Sequence, residues 1–388
     1  MTTRPAVAGP SPVAGPSPRR FALLALAALS LLAGLLGALA LLGVSTSEAT
    51  TRFAGSHGLL MTLGFLGTVI ALERDVALGR RWGYVAPLAA GLAGLGLVIG
   101  IPAVAAAALL AVASYTYLLM YIVFLAMDRG LHTWVQAVGA LGWILAAALL
   151  LVGRPVADVV PALAVFLILT VAGERLELAR LGRLTGRMRG LFLLAAGTFV
   201  AGALLATVAS DAGLRLGGLG LLGLAAWLAR FDIARRTVRI PGVTRFIAVC
   251  LLAGYVWLAV GGSAWLAYGA SAPALARDAM LHALFLGFVI SMVFGHAPVI
   301  LPAVLRVPLP YRPRFYAHFL LLQAGLVVRV VVGDIGGRTE AWQVGGVLTV
   351  LALLLFVGSS AAAAIGEVQA RRRITAAARA RPTPSRPG

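Results

Sequence analysis

Five histidines are spread over 388 residues, and four of them, His57, His282, His296 and His318, fall inside or at the ends of strongly apolar stretches. Neutral imidazole is a common ligand for iron and copper, and burying one without a partner is costly. His57 and His282 each stand near the start of a stretch that crosses a bilayer in the same direction, so their rings sit at matching depth. Two imidazoles so placed on separate helices suit the opposed axial positions of a haem iron, and an apolar bundle suits the macrocycle. Gly58, Gly64, Gly67 and Gly287 nearby allow a flat ring or a neighbouring helix to approach closely. The plainer use of the same side chains is hydrogen bonding to loops or water.

Arg329 interrupts the run Val327-Val328-Arg329-Val330-Val331. An arginine facing lipid costs about 2.5–3.5 kcal/mol at the bilayer centre, so it must snorkel to the surface or find an anion. Asp334 is one candidate partner and the propionates of a haem are another, with Arg52 a weaker second cation for the same role.

His296 and His318 form a second candidate pair at the opposite face, since residues 282 to 296 span about 21 Å of helix. A copper ion, a second haem or a proton relay would suit them, and so would simple bonds to backbone carbonyls. Pro298 and Pro302 follow His296 and predict a kink that frees carbonyls. Glu73 and Glu174 each precede an arginine at the same face. They form interfacial ion pairs, or they feed protons toward the inner histidines if their acidity is tuned. Cys250 stands alone, which excludes disulfides, and the chain has no phosphate-binding glycine loop, serine elbow or H-E-x-x-H motif.

These side chains need helices to hold them. With 61% apolar residues, 12% charged and a mean hydropathy of +0.98, the chain lies far above the roughly 45–50% apolar content of soluble domains. A span needs about 20 apolar residues, and runs of that kind occupy 21–44, 54–73, 83–101, 103–127, 133–152, 156–174, 190–209, 214–230, 246–269, 279–304, 315–333 and 341–366. The expected fold is therefore an all-α polytopic bundle of about twelve helices over residues 21–368. A Pro- and Gly-rich disordered tail, 1–20, precedes it and a basic tail, 369–388, follows. Ser17-Pro18-Arg19-Arg20-Phe21 faintly resembles a twin-arginine export signal, but the following run is too long and too many others follow, so it reads as an uncleaved first span.

The net charge of +19 comes from 32 basic residues, all arginine. They sort by membrane side rather than forming a nucleic-acid patch. Both tails and the even-numbered turns hold 26, the odd-numbered turns hold Arg52, Arg154, Arg215, Arg277 and Arg338, and Arg329 lies within a span. The positive-inside rule then predicts an inner (plasma) membrane protein with both termini cytoplasmic. Internal repetition favours a period of four helices over the six common in transporters. Thr68-Val69-Ile70-Ala71-Leu72-Glu73-Arg74 echoes Thr170-Val171-Ala172-Gly173-Glu174-Arg175, and His57 precedes Gly64-Phe65 as His282 precedes Gly287-Phe288.

With His57-x-x-x-Met61-x-x-Gly64-Phe65, the run His282-Ala283-Leu284-Phe285-Leu286-Gly287-Phe288 and Arg329, the chain resembles the NnrS family. These are multi-span, haem- and copper-associated membrane proteins linked to nitric oxide and nitrosative stress, distantly similar to the catalytic subunit of haem-copper oxidases. The specific motifs cover a small part of the chain. The resemblance implies a pseudo-threefold arrangement of four-helix units, a low-spin haem b held by His57 and His282 near the outer face, and propionates held by Arg329. It departs from the oxidases in having no His on the sixth and seventh spans and Met280 where a high-spin haem ligand would lie. A conventional oxygen- or nitric-oxide-reducing centre is not expected. Gly295-His296-Ala297-Pro298 also departs from the NnrS pattern and points to a sister group with its own inner site.

The expected function is a membrane b-type haem protein acting in nitric oxide response or electron transfer, with a redox partner or nitric oxide as its counterpart. One alternative is a proton-coupled secondary transporter without metal, which predicts a colourless protein. Another is a copper-handling or assembly factor using Met61, Met280, Met292 and the inner histidines.

Overall fold

A computed structural model describes residues 17–179, 184–307 and 309–379. Twelve of its helices are long and apolar enough to cross a membrane: α1 (Pro18–Leu41), α2 (Glu48–Leu78), α3 (Arg81–Ile99), α4 (Ala103–Met127), α5 (Leu131–Leu151), α6 (Val156–Ala179), α7 (Gly186–Leu205), α8 (Ser210–Phe231), α9 (Val243–Ser271), α10 (Ala274–Leu305), α11 (Phe315–Ile335) and α12, whose apolar part is Thr339–Glu367. No strand occurs among the described residues. The protein is an all-α polytopic membrane bundle, the form hydrocarbon demands, because each helix satisfies its own backbone groups where no water can.

The expected tails differ in part. Residues 1–16 and 380–388 lie outside the described residues, but α1 already begins at Pro18, a residue preorganised for a first helical turn, and carries Arg19 and Arg20. At the other end α12 runs unbroken from Thr339 to Arg379, so most of the predicted basic tail is helix. Alanine and arginine are strong helix formers, and no Gly or Pro stands between 367 and 379 to stop them. The second span also starts earlier than its apolar run, at Glu48, an acid well placed in a first turn. Gly100, at φ 82°, ends α3 in the left-handed conformation that glycine adopts without strain.

Three helices form the centre. In α2, α6 and α10, 56%, 78% and 67% of the most apolar window is buried, against 33–50% in the other spans. They stand four helices apart in the chain. Three π-helical stretches also stand out: Leu60–Gly67 in α2, Ala283–Ile290 in α10 and Val327–Ile335 in α11. Such wide turns are rare and concentrate at functional sites. The first two contain Leu63-Gly64-Phe65 and Leu286-Gly287-Phe288. His57 lies one turn before the first stretch, His282 directly before the second, and Arg329 within the third.

Candidate functional site

His57 and His282 line one cavity of about 300 Å³ between the ends of α1, α2, α6, α10, α11 and α12. Its wall is overwhelmingly apolar, from Leu35 and Met61 on one side to Phe285 and Leu353 on the other. Each imidazole is held by the same ring atom. His57 Nδ1–H donates to the carbonyl of Gly34 at 2.7 Å. His282 Nδ1–H donates to the carbonyl of Asp278 at 3.0 Å, with Asp278 Oδ1 at 3.1 Å. An oxygen acceptor at Nδ1 puts the proton there, so Nε2 keeps its lone pair in both rings. Neither Nε2 bonds to a described residue.

Arg329 lines the same cavity, and its partner corrects the sequence-based expectation. It is not Asp334 that pairs with it but Asp278, in a fork with Nε and Nη2 each 2.7 Å from a carboxylate oxygen. α10 and α11 pack with their antiparallel ends together, which brings Asp278 to Arg329 across the helix interface. Arg329, only 6% exposed, thereby has the anion it needs, and a relay Arg329–Asp278–His282 locks the ring. Close packing by α12 sets the arginine's height, for a Cβ on Gly345 would come within 2.4 Å of the Arg329 backbone nitrogen. Asp334 is buried nearby with neither carboxylate oxygen bonded. Arg52 stands apart: it is exposed and stacks on Phe53, 4.4 Å from the ring centre, and does not line the cavity.

At the other end of the central helices the charges meet one another. Arg74 of α2 reaches Glu73 at 3.2 Å and also Glu174 of α6, so the two predicted carboxylates share one guanidinium. Arg175, the next residue on α6, faces Asp232 at 3.9 Å. Asp232 lies just beyond α8 and accepts from the Ala234 N–H at 2.6 Å; burial pushes its carboxyl above the usual range against the pull of Arg175. His296 joins this group, within electrostatic reach of Arg175, Glu174 and Asp232, with its Nδ1–H on the Met292 carbonyl at 2.8 Å.

His318 does not join it, contrary to the predicted inner pair. Its ring sits among Phe294, Phe356, Phe315 and Phe246, with centroid distances of 4.7, 5.3, 5.6 and 6.2 Å, and Nδ1 lies 3.3 Å from the Ser359 hydroxyl. Aromatic residues on α9, α10, α11 and α12 close around it, which separates it from the polar surroundings of His296. Among the described residues no group of three or more His, Cys, Asp and Glu is arranged to hold a bare metal ion.

A family model described as "Domain of unknown function (DUF8744)" matches residues 20–365. The chain belongs to this family. None of the curated proteins matches it. The DUF8744 match reaches into all twelve spans, and both clusters lie within the matched residues.

Within this DUF8744 chain, sequence reasoning overlooked Asp278 and Gly34. Asp278 was legible, since it stands four residues before His282 and that spacing puts carboxylate and imidazole on one helix face. The Gly34 contact was not, because a backbone carbonyl from another helix leaves no mark in the sequence.

Proposed function

We propose that this chain is a membrane haem protein in which His57 and His282 supply both axial ligands to the iron of a b-type haem. The observation that carries the reading is the shared tautomer: two imidazoles on separate central helices, each tied at Nδ1, each with Nε2 unspent, on one apolar cavity. Metal-bound histidines characteristically donate their other ring N–H to a carbonyl or carboxylate, which fixes the ring and raises its basicity. The donor set therefore fits an iron porphyrin. Arg329 Nη1 makes no bond to a described residue, and this nitrogen is the natural partner for a propionate, while Nε and Nη2 stay on Asp278.

A haem bound there supplies one-electron chemistry or a site for a diatomic gas. His57 and His282 would both be committed to holding the iron, and Met280, which is buried with its carbonyl accepting from Trp265 Nε1, does not line the cavity, so the reading favours electron transfer or nitric oxide response over reduction of oxygen or nitric oxide. Copper has less support, because His296 and His318 have separate surroundings. The arginine distribution supports a cytoplasmic (plasma) membrane location with both ends inside and the cavity toward the outer face.

The test is a pyridine haemochrome assay on protein purified from cells supplied with haem precursor. About one haem b per chain is expected. Protein that stays colourless, and takes up no haem on reconstitution, contradicts the reading and favours metal-free transport.

A further inference from the structure

We propose that α7 and α8 bind an anionic phospholipid, with an acyl chain in the groove between them and the phosphate in an arginine pocket at its end. This rests on a different part of the molecule from the haem reading and does not depend on it.

Close helix packing borders the groove. Gly220 and Gly223 of α8 let α7 pack close, since a Cβ on either would collide with Phe199 or Ala195, and beside this contact Leu191, Leu194 and Thr198 of α7 and Leu219 and Ala226 of α8 line a groove of about 640 Å³. α7 is the least buried of the spans, at 33%, so the groove opens toward lipid. From Leu219 to Phe231 it follows roughly 18 Å of helix at ~1.5 Å per residue, close to the hydrocarbon depth of one leaflet.

Arg230 and Phe231 line both this groove and a second, polar cavity of about 390 Å³, so the two lie side by side. The second cavity also holds Arg235, Arg236 and Arg239. All four arginines are exposed. Their charges distinguish them from others in the chain. Arg74, Arg154, Arg175, Arg215 and Arg329 each have a carboxylate within 4 Å, and none of these four does among the described residues. Arg235 spends Nη1 on the Arg230 carbonyl at 3.2 Å. Asp232, the acid lining the pocket, is buried; its Oδ1 accepts from the Ala234 N–H and its Oδ2 faces Arg175 at 3.9 Å. The pocket is thus strongly cationic, with guanidinium groups suited to a phosphate.

Position and side agree. Trp227, one turn before Arg230, is buried and donates Nε1–H to the Met188 carbonyl at 2.8 Å, which ties the ends of α7 and α8 together beside the arginines. This is the arginine-rich face, which the positive-inside rule assigns to the cytoplasmic leaflet, where anionic headgroups meet basic pockets between helices. A soluble phosphate compound would have no use for the apolar groove; a lipid uses both halves.

Native mass spectrometry of the full chain in detergent, with phosphatidylglycerol and phosphatidylcholine added in equal amounts, tests the proposal. Phosphatidylglycerol should be retained roughly 25-fold better, and R235Q/R236Q should lower its retention roughly 25-fold while leaving phosphatidylcholine unchanged, from about a fivefold effect per arginine. Ala226→Phe fills the exposed groove without touching the charges, and should also reduce phosphatidylglycerol retention. Soluble glycerol phosphate should not displace the lipid. Equal retention of the two lipids, indifference to R235Q/R236Q or to Ala226→Phe in protein of unchanged melting temperature, or displacement by glycerol phosphate would overturn it.

Discussion

His57 and Glu73 stand toward opposite ends of α2, separated by roughly 24 Å of helix, and the clusters around them treat their polar atoms in opposite ways. Around Glu73 the charges close on each other: Arg74 serves two carboxylates, and Arg175 faces Asp232. Around His57 each ring has one nitrogen fixed and one left over, and the leftover atoms belong to residues lining an apolar cavity. Charges that pair with one another hold helices together, even though Arg74 Nε, Arg175 Nε and Asp232 Oδ2 keep no hydrogen-bond partner of their own. Imidazoles fixed at one ring nitrogen and left open at the other, on an apolar cavity, are suited to a ligand. The difference separates a structural knot from a binding site even though both use charged and titratable groups on the same central helices.

The comparison breaks if the inner cluster proves dispensable. Arg74→Ala leaves Glu73 and Glu174 facing each other without a cation; these three side chains are 16–25% exposed, so the cost falls below that of a fully buried pair, at about 1–3 kcal/mol. Reversible unfolding in detergent should show a loss of that size. Asp278→Asn should act on the other cluster alone, because it keeps the shape of the side chain but weakens its hold on both His282 and Arg329. Loss of such an outer ligand typically lowers metal affinity by about 10–100-fold; a haem titration should show this while the fold persists. His296→Gln removes a bond to the Met292 carbonyl, worth about 0.5–1.5 kcal/mol, and should leave haem content as it was. The smallest effect belongs to Arg52→Gln: an exposed side chain stacked on Phe53 changes stability by no more than about 0.5 kcal/mol, and haem content should again be unaltered. A large loss of haem in either of the last two variants would move the site.

Much of this molecule is written in its apolar runs. Twelve spans were legible because a hydrocarbon layer imposes a length on each helix, whereas the deeper burial of α2, α6 and α10 follows from packing against all their neighbours. His57 and His282 could be singled out by depth, and Arg329 by the cost of an arginine among valines. What failed was pairing across helices. Asp334, close in sequence, was the apparent partner for Arg329, whereas Asp278 reaches it from α10 with both oxygens. His296 and His318 share a depth but not a neighbourhood, since rotation about the helix axis sends one toward Arg175 and the other into a ring of phenylalanines. Depth follows from counting residues, but the facing of one helix toward another depends on packing against all its neighbours. The π-helical stretches were likewise hidden, although the repeated Leu-Gly-Phe segments within two of them were plain.

The visible absorption spectrum of the purified, haem-supplied protein, set beside those of H57A, H282A and H318A, tests the central claim most directly. A Soret band present in the parent, lost or sharply reduced in each of H57A and H282A, and retained in H318A is the predicted result. A band that survives both H57A and H282A, or that disappears only in H318A, would contradict the assignment of the two outer imidazoles to one iron.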